Sequence, residues 1–289
     1  MTILITGATG AVGRSLAAEL VAAGRPVRAF VRDVERAGAL LPSAVDLVAG
    51  DFDRPDTLRG ALRGVRQVFL AAPNHPDQVR WETGVIDAAV GSGVQRLVKL
   101  SAHGARVGSP VAFWHAHARI EQHLDGSGID AVVLRPTTYA TTMLGWLQPV
   151  LSGVLPAPAA GARVAFVDPV DVAGCSAALL QQPEWRQRRF TLSGPTALDF
   201  DQVAQVFADL LDRPVGFVAV PDDAALTGLL QAGAPRWFAE NVLRVFGALR
   251  AGEADLTTGA VRDLTGGTPR QLGDALRPWL AGAGVAAPS

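Results

Sequence analysis

The chain predicts a doubly wound, parallel α/β fold, and three observations carry that expectation. A glycine-rich turn joins an apolar strand to an amphipathic helix at the start. Short strands and helices then alternate through the first half. Hydrophobic residues make up 49% of the 289, enough to bury a large core. The turn reads Thr6-Gly7-Ala8-Thr9-Gly10-Ala11-Val12-Gly13, between Ile3-Leu4-Ile5 and a helix beginning near Ala11. In that order Gly7 permits the sharp turn, Gly10 keeps a side chain away from an approaching pyrophosphate, and Gly13 lets the helix pack closely on the sheet. The helix N-terminus adds unpaired N–H groups suited to phosphate. The spacing is Gly-x-x-Gly-x-x-Gly, one residue longer in its first interval than the usual dinucleotide fingerprint. The alternative is a tight turn with no ligand, and the βαβ alternation that follows argues against it.

The first helix carries Val12, Leu16, Leu20, Ala17 and Val21 on one stripe, and Gly24 ends it. Strands are expected at Val27–Val31, 45–49, 65–71, 97–100 and 131–134. Helices are expected at 34–40, 55–62, 77–90 and 111–125. In the third of these, Val79, Thr83, Ile86 and Val90 recur at helical spacing. Such alternation describes a Rossmann-type doubly wound parallel sheet, with ligands at the carboxyl ends of its strands.

Composition narrows the function classes. Charged residues make up 18%, and 26 Lys plus Arg stand against 27 Asp plus Glu, a net charge of −1. No sustained basic block would track a phosphate backbone, so nucleic acid is not an expected direct partner. No apolar run approaches the ~18 residues of a membrane span. The start shows no cationic leader segment, and Cys175 is the lone cysteine. These features point to a soluble cytoplasmic protein, with Cys175 a small buried residue on a helix.

The end of the second strand bears on which dinucleotide binds. It reads Ala29-Phe30-Val31-Arg32-Asp33, with Val31 where an NAD site usually places an acid and Arg32 following it. A guanidinium there suits the 2′-phosphate of NADP. The alternatives are a solvated arginine and, through Asp33, an NAD site. NADP(H) is therefore the preferred cofactor, with NAD(H) left open.

Gly7-Ala8-Thr9-Gly10-Ala11-Val12-Gly13-Arg14, the Val27 to Asp33 strand, Gly50-Asp51-Phe52-Asp53, Lys99-Leu100-Ser101-Ala102, Ser127-Gly128-Ile129 and Leu134-Arg135-Pro136 resemble the atypical short-chain dehydrogenase/reductase group called NmrA-like. Within it the chain is most similar to NADPH-dependent quinone and azo or triphenylmethane dye reductases. The likeness continues through Phe166-Val167-Asp168-Pro169, Leu192-Ser193-Gly194-Pro195 and Leu264-Thr265-Gly266-Gly267-Thr268-Pro269. The resemblance implies that Gly7, Ala8, Thr9, Gly10, Ala11 and Val12 wrap the pyrophosphate and that Arg32 meets the ribose phosphate. It places the adenine at Asp51 and Phe52, the adenosine ribose and diphosphate at Ala71, Ala72 and Pro73, and the nicotinamide end at Thr138 and Tyr139. Asp51 and Phe52 have a structural alternative, capping and packing a turn.

Ordinary short-chain dehydrogenases move the substrate proton through a Tyr-x-x-x-Lys pair. Here the one tyrosine, Tyr139, and the one lysine, Lys99, lie in the wrong order on different elements. Register from Ser127-Gly128 puts Phe113 and His117 in place of the pair. His117 is the proton-donor candidate because imidazole titrates near neutrality, the alternative being a hydrogen bond to a neighbouring loop. His103, after the fifth strand, is a weaker candidate for lining the site. His115, His117 and His123 carry no recognisable metal spacing, and no metal is expected. Tyr139 either hydrogen-bonds a substrate carbonyl or walls the nicotinamide pocket, and the wall is favoured.

Beyond the sixth strand, 141–162 reads as a short helix and loop over the site, carrying Met143, Leu144, Trp146 and Leu147 as substrate contacts. Strands at 164–167 and Arg189–Leu192 flank a helix at 170–180, and the second strand is a candidate to join the main sheet. An amphipathic helix around 203–211, a strand at 215–220 and a helix carrying Trp237, Phe238, Val242, Val245 and Phe246 follow. That aromatic face suits a pocket rim, a dimer interface or plain core. Residues 281–289 are expected to fray. The domain expectation is a dinucleotide-binding core of 1–136, completed by 163–195, with 137–162 and 196–289 forming a smaller C-terminal lobe on the substrate side. The functional expectation is an NADPH-dependent reductase passing hydride to a quinone-like, aromatic or conjugated small molecule, as a monomer or homodimer. The alternative is a non-catalytic NADP-binding redox sensor of the NmrA type.

Overall fold

The computed structural model describes residues 1–182, 185 and 187–282. The first half is a strict alternation. It runs β1 (Thr2–Thr6), α1 (Ala11–Ala22), β2 (Val27–Val31), α2 (Val34–Gly38), β3 (Asp46–Ala49) and α3 (Pro55–Ala61). Then come β4 (Val65–Leu70), α4 (Gln78–Gly91), β5 (Arg96–Leu100), α5 (Ala112–Gly126) and β6 (Ala131–Pro136). A 3-10 turn at Ala140–Trp146 leads into α6 (Leu147–Leu151), β7 (Val154–Ala157), β8 (Arg163–Val164), α7 (Pro169–Gln181) and β9 (Arg189–Leu192). The remainder is β10 (Leu198–Asp199), α8 (Phe200–Leu211), β11 (Gly216–Ala219), α9 (Asp222–Gln231), α10 (Arg236–Arg250), α11 (Ala260–Thr265) and α12 (Leu272–Gly282).

Seven strands form one parallel sheet in the order β3-β2-β1-β4-β5-β6-β9. Side-chain alternation gives it two buried faces. Ile3 and Ile5 of β1 join the core under α1 and α7, while Leu4 joins the opposite core under α3, α4 and α5. The order reverses beside β1, so the strand ends there leave a crevice. Thr6, fully buried, ties the two central strand ends together: its hydroxyl donates to the Ala71 carbonyl at 2.8 Å and accepts the Ala71 N–H at 2.9 Å.

A third core joins the segment after β6 to the C-terminal helices. Met143, Val150, Leu155 and Val164 pack there with Phe200, Phe207, Phe246 and Leu276. Cys175 is buried on α7, where burial pushes its thiol up to about 12. Among the described residues no helix is long and apolar enough to cross a membrane.

The sequence expectations need correcting at several places. The strand expected at 164–167 pairs only over Arg163–Val164, with β10, and Val167 instead makes a single parallel bridge to Tyr139. The loop reading of 141–162 missed β7, which has its partner, β11, some sixty residues away. Helix α2 stops at Gly38. The buried face of α4 only overlaps the Val79, Thr83, Ile86, Val90 stripe, sharing Ile86 fully and Val79 in part. It carries Gln78, Trp81, Glu82, Val85, Ile86 and Ala89, and Val90 is exposed. The fraying expected at the C-terminus falls mostly on 283–289, outside the described residues.

Candidate functional site

Two cavities meet at the carboxyl edge of the sheet. The first, about 510 Å³, lies over the crevice beside β1. Gly7 adopts φ +62°, and a Cβ at Gly13 would lie 2.3 Å from the Gly7 carbonyl oxygen and 2.7 Å from the Ala8 Cα. Helix and turn are therefore in backbone contact, which glycine alone permits. A Cβ at Gly10 would meet only the Gly7 carbonyl, at 3.3 Å. Helix α1 begins with no side-chain cap and no acid in its first turn, so its free N–H groups face the cavity unopposed. These features fit a dinucleotide pyrophosphate.

Gly7 through Val12, Arg32, Asp51, Phe52 and Ala71 through Pro73 all line this cavity; Thr138 lines the neighbouring one and Tyr139 lines both. Sequence reading left out several further lining residues, Arg36 and Trp81 among them. Arg36 is exposed in α2, four residues beyond Arg32, which precedes the helix. The carboxylate of Asp33 is the N-cap of α2, accepting the Arg36 N–H at 2.9 Å. That cap engages one oxygen of Asp33, which also lines the cavity. Asp51 likewise accepts the Asp53 N–H at 2.9 Å, and Phe52 stacks on Trp81 with ring centroids 5.8 Å apart. Turn capping and cavity lining are thus combined in Asp51 and Phe52. Trp81 is fixed by its own Nε1–H, which donates to Asp53 at 2.8 Å. Hydrogen bonds from Trp81 and then Arg80 hold the Asp53 carboxyl below its usual range.

The second cavity, about 650 Å³, shares Ala71, Ala72, Pro73, Leu100 and Tyr139 with the first. Its walls are mostly apolar and aromatic. Phe113 and Trp114 come from α5, Met143 and Trp146 from the 3-10 turn, and Phe238, Val242, Val245 and Phe246 from α10. The aromatic face of α10 is thereby used as a pocket wall, with Phe113 edge-on to Trp237 at 5.2 Å. Close approach shapes the rim: a Cβ at Gly104 would fall 2.3 Å from the Trp114 ring. Arg106 lies over the other part of that wall, 5.7 Å from the Trp114 ring centroid, and forms a two-pronged ion pair with Glu253 at 2.6 and 2.8 Å.

His117 lines this cavity and is 8% exposed. Its Nδ1 is 3.2 Å from the Lys99 ammonium. Burial, and then the Lys99 cation, hold the imidazole well below its ordinary pKa. At neutral pH it is an uncharged hydrogen-bond donor, which corrects the expectation that it titrates near neutrality. The alternative partner was a loop, whereas the partner found is a buried lysine. His115 and His123 turn elsewhere, His115 accepting the Gly108 N–H at 3.0 Å and His123 meeting Asp87 at 2.6 Å. His103 also lines the cavity, with burial lowering its pKa. Tyr139 sits where the cavities join, and burial raises its phenol pKa, so it stays protonated through the physiological range.

A family model described as the NmrA-like family matches residues 1–254. A (4-alkanoyl-5-oxo-2,5-dihydrofuran-3-yl)methyl phosphate reductase from Streptomyces griseus subsp. griseus is 36% identical over 276 residues, 94% of this chain and 95% of that protein. An NAD(P)H azoreductase from Xenophilus azovorans is 30% identical over 239 residues, covering 82% and 84%. The crystal structure of the Citrobacter sp. triphenylmethane reductase complexed with NADP(H) superposes with a TM-score of 0.85 at 25% identity, over 96% of this chain and 99% of that one.

Proposed function

The chain belongs to the NmrA-like family, and from that premise we propose that it is an NADPH-dependent reductase of uncharged, conjugated small molecules. The observation that carries this reading is the junction of the two cavities at Tyr139 and Leu100, one glycine-cradled and flanked by Arg32 and Arg36, the other walled by aromatic rings. The names of the relatives, a reductase of a dihydrofuranone phosphate and an NAD(P)H azoreductase, support a reductase with a conjugated acceptor. The cofactor, when bound, supplies the hydride.

Each part of the chain has a task in this reading. Residues 7–12 bind the pyrophosphate with backbone N–H groups, and Arg32 with Arg36 holds the 2′-phosphate, leaving NADH the weaker cofactor. Asp51, Phe52 and Trp81 border the adenine, and Ala71 to Pro73 the adjoining ribose. Thr138 and Tyr139 wall the nicotinamide end. His117 donates a hydrogen bond to the oxygen or nitrogen that gains electron density as the acceptor is reduced. The dinucleotide part comprises 1–136 completed by 163–195, and 137–162 with 196–289 completes the acceptor side.

The acceptor is uncharged because the described residues lining the apolar cavity include no lysine or arginine to hold an anion, and its one carboxylate, Glu253, is already paired with Arg106. The Streptomyces relative acts, by its name, on a phosphate ester. Quinones, enones and azo dyes meet the requirement of an electron-poor, neutral π-system. We place the protein in the cytoplasm, as a monomer or homodimer with no nucleic-acid partner.

Spectrophotometric oxidation of NADPH against a panel of quinones, enones, imines and azo dyes tests the proposal. Turnover of at least one neutral class is the expected result. Tight NADPH binding with no turnover across the panel would overturn it in favour of a redox sensor.

A further inference from the structure

Lys99 is completely buried in β5, and its partner Glu82 is completely buried on α4. The ammonium lies 2.8 Å from Glu82 Oε2 and 3.2 Å from His117 Nδ1, and it also contacts the Leu100 carbonyl. The second Glu82 oxygen accepts the Gln78 carboxamide at 2.9 Å. Burying such a pair carries a desolvation cost that apolar side chains would avoid, so its location calls for a reason. The reason lies in the third contact.

An ammonium has three N–H donors and no lone pair. It can only donate, so the ring nitrogen that faces it at 3.2 Å is the bare nitrogen, and the single proton of a neutral imidazole sits on Nε2. Across the ring from Lys99, Nε2 has no hydrogen-bond partner among the described residues, and His117 lines the apolar cavity. A cation that served only to neutralise Glu82 would leave the tautomer of His117 unspecified. We propose that Lys99 is a positioning residue that holds His117 as the Nε2–H tautomer, so that a neutral imidazole presents a hydrogen-bond donor to the acceptor's carbonyl oxygen. The role of that donor rests on the reductase reading, whereas the tautomer rests on the Lys99, Glu82 and His117 cluster alone.

Long-range ¹H–¹⁵N spectra of histidine-labelled, cofactor-free protein read the tautomer directly, with His117→Gln providing the assignment. The expected native signal is Nε2–H with a bare Nδ1 at neutral pH, and an Nδ1–H signal, donating to an uncharged lysine, would overturn the inference. The double variant Lys99→Met/Glu82→Gln removes the cation without stranding a buried carboxylate, and it should lose the tautomer preference. With an enone or quinone that the native enzyme reduces, kcat of the double variant should fall on the order of ten- to a hundredfold, with little change in NADPH affinity or acceptor KM. An unchanged kcat would overturn the positioning role. Should the double variant fail to fold, Glu82→Gln alone keeps the cation and should keep the Nε2–H signal; its loss counts against Lys99 as the determinant. Absence of native turnover alongside an Nε2–H spectrum would instead defeat the reductase reading and leave the tautomer assignment standing.

Discussion

The side-chain oxygen of Asn241, on α10, accepts the backbone N–H of Ala112 at 2.7 Å, so the first turn of α5 is capped by a residue 129 positions away. Asn241 is 3% exposed, and its amide donates to the Trp237 carbonyl at 2.8 Å. The bond fixes the helix carrying Phe113, Trp114 and His117 to the helix forming the facing wall. Asn241→Ala strands a backbone donor at a helix start, a loss of about 1–2 kcal/mol. Urea unfolding should show that loss. Acceptor KM should rise while NADPH affinity is kept, because the first cavity is untouched.

Arg32 and Arg36 predict a cofactor-specific effect. Either arginine changed to alanine should weaken NADPH by about tenfold or more and NADH by much less, since a phosphate contact is charge-assisted and a ribose hydroxyl contact is not. Fluorescence titration with both cofactors measures the ratio. Equal losses for the two would remove both residues from the 2′-phosphate site.

The glycine turn separates folding from binding. Gly13→Ala puts a methyl 2.3 Å from a backbone oxygen, and neither neighbour is a flexible side chain. The start of α1 must shift, at a cost of about 1–3 kcal/mol, and dinucleotide binding should fall with it. Gly10→Ala meets a single contact at 3.3 Å, so the native melting temperature should be nearly kept while NADPH affinity drops. A Gly10→Ala variant that bound NADPH normally would place the pyrophosphate elsewhere.

Tyr139 is read as a wall, and two substitutions divide wall from donor. Tyr139→Phe keeps the ring and should change kcat by less than about threefold, whereas Tyr139→Ala opens the junction of the cavities and should lower kcat and raise KM together. A large loss in the phenylalanine variant, measured at saturating NADPH, would assign the phenol hydroxyl a hydrogen bond to the acceptor.

The parallel sheet and the dinucleotide turn were legible because both rest on local rules: alternating apolar runs, Gly spacing and a strand-to-helix turn. The apolar cavity was legible in part: Met143 and Trp146 are expected over the site from sequence, whereas the aromatic face of α10 suits a pocket rim, a dimer interface or plain core equally, and only the packing makes it a wall. The buried cluster of Lys99, Glu82 and Gln78 was not legible. The apolar stripe expected for α4 is offset from the buried face, sharing Ile86 with it, because Gln78 and Glu82 are polar residues inside the core, where periodicity assigns only apolar ones. Lys99 was weighed only against Tyr139. Its actual partners come from α4 and α5, which only the tertiary packing brings together.

His117 also gives the folded state a pH signature. Its native pKa is held well below the ordinary value by burial and by Lys99, while the unfolded chain has the usual value of about 6.5. Below about pH 6.5 the unfolded chain takes up a proton that the native site refuses, so stability present above that pH is lost as pH falls toward the native pKa. The loss from this one group amounts to about 1.4 kcal/mol per pH unit within that window. Urea unfolding of the native protein and of His117→Gln at about pH 7.5 and pH 5.5 isolates it, because the other histidines contribute equally to both proteins. The native protein should lose about 1 kcal/mol more than the variant across that interval. An equal loss in both would mean that the imidazole accepts its proton in the folded state, which the Lys99 cation 3.2 Å away opposes.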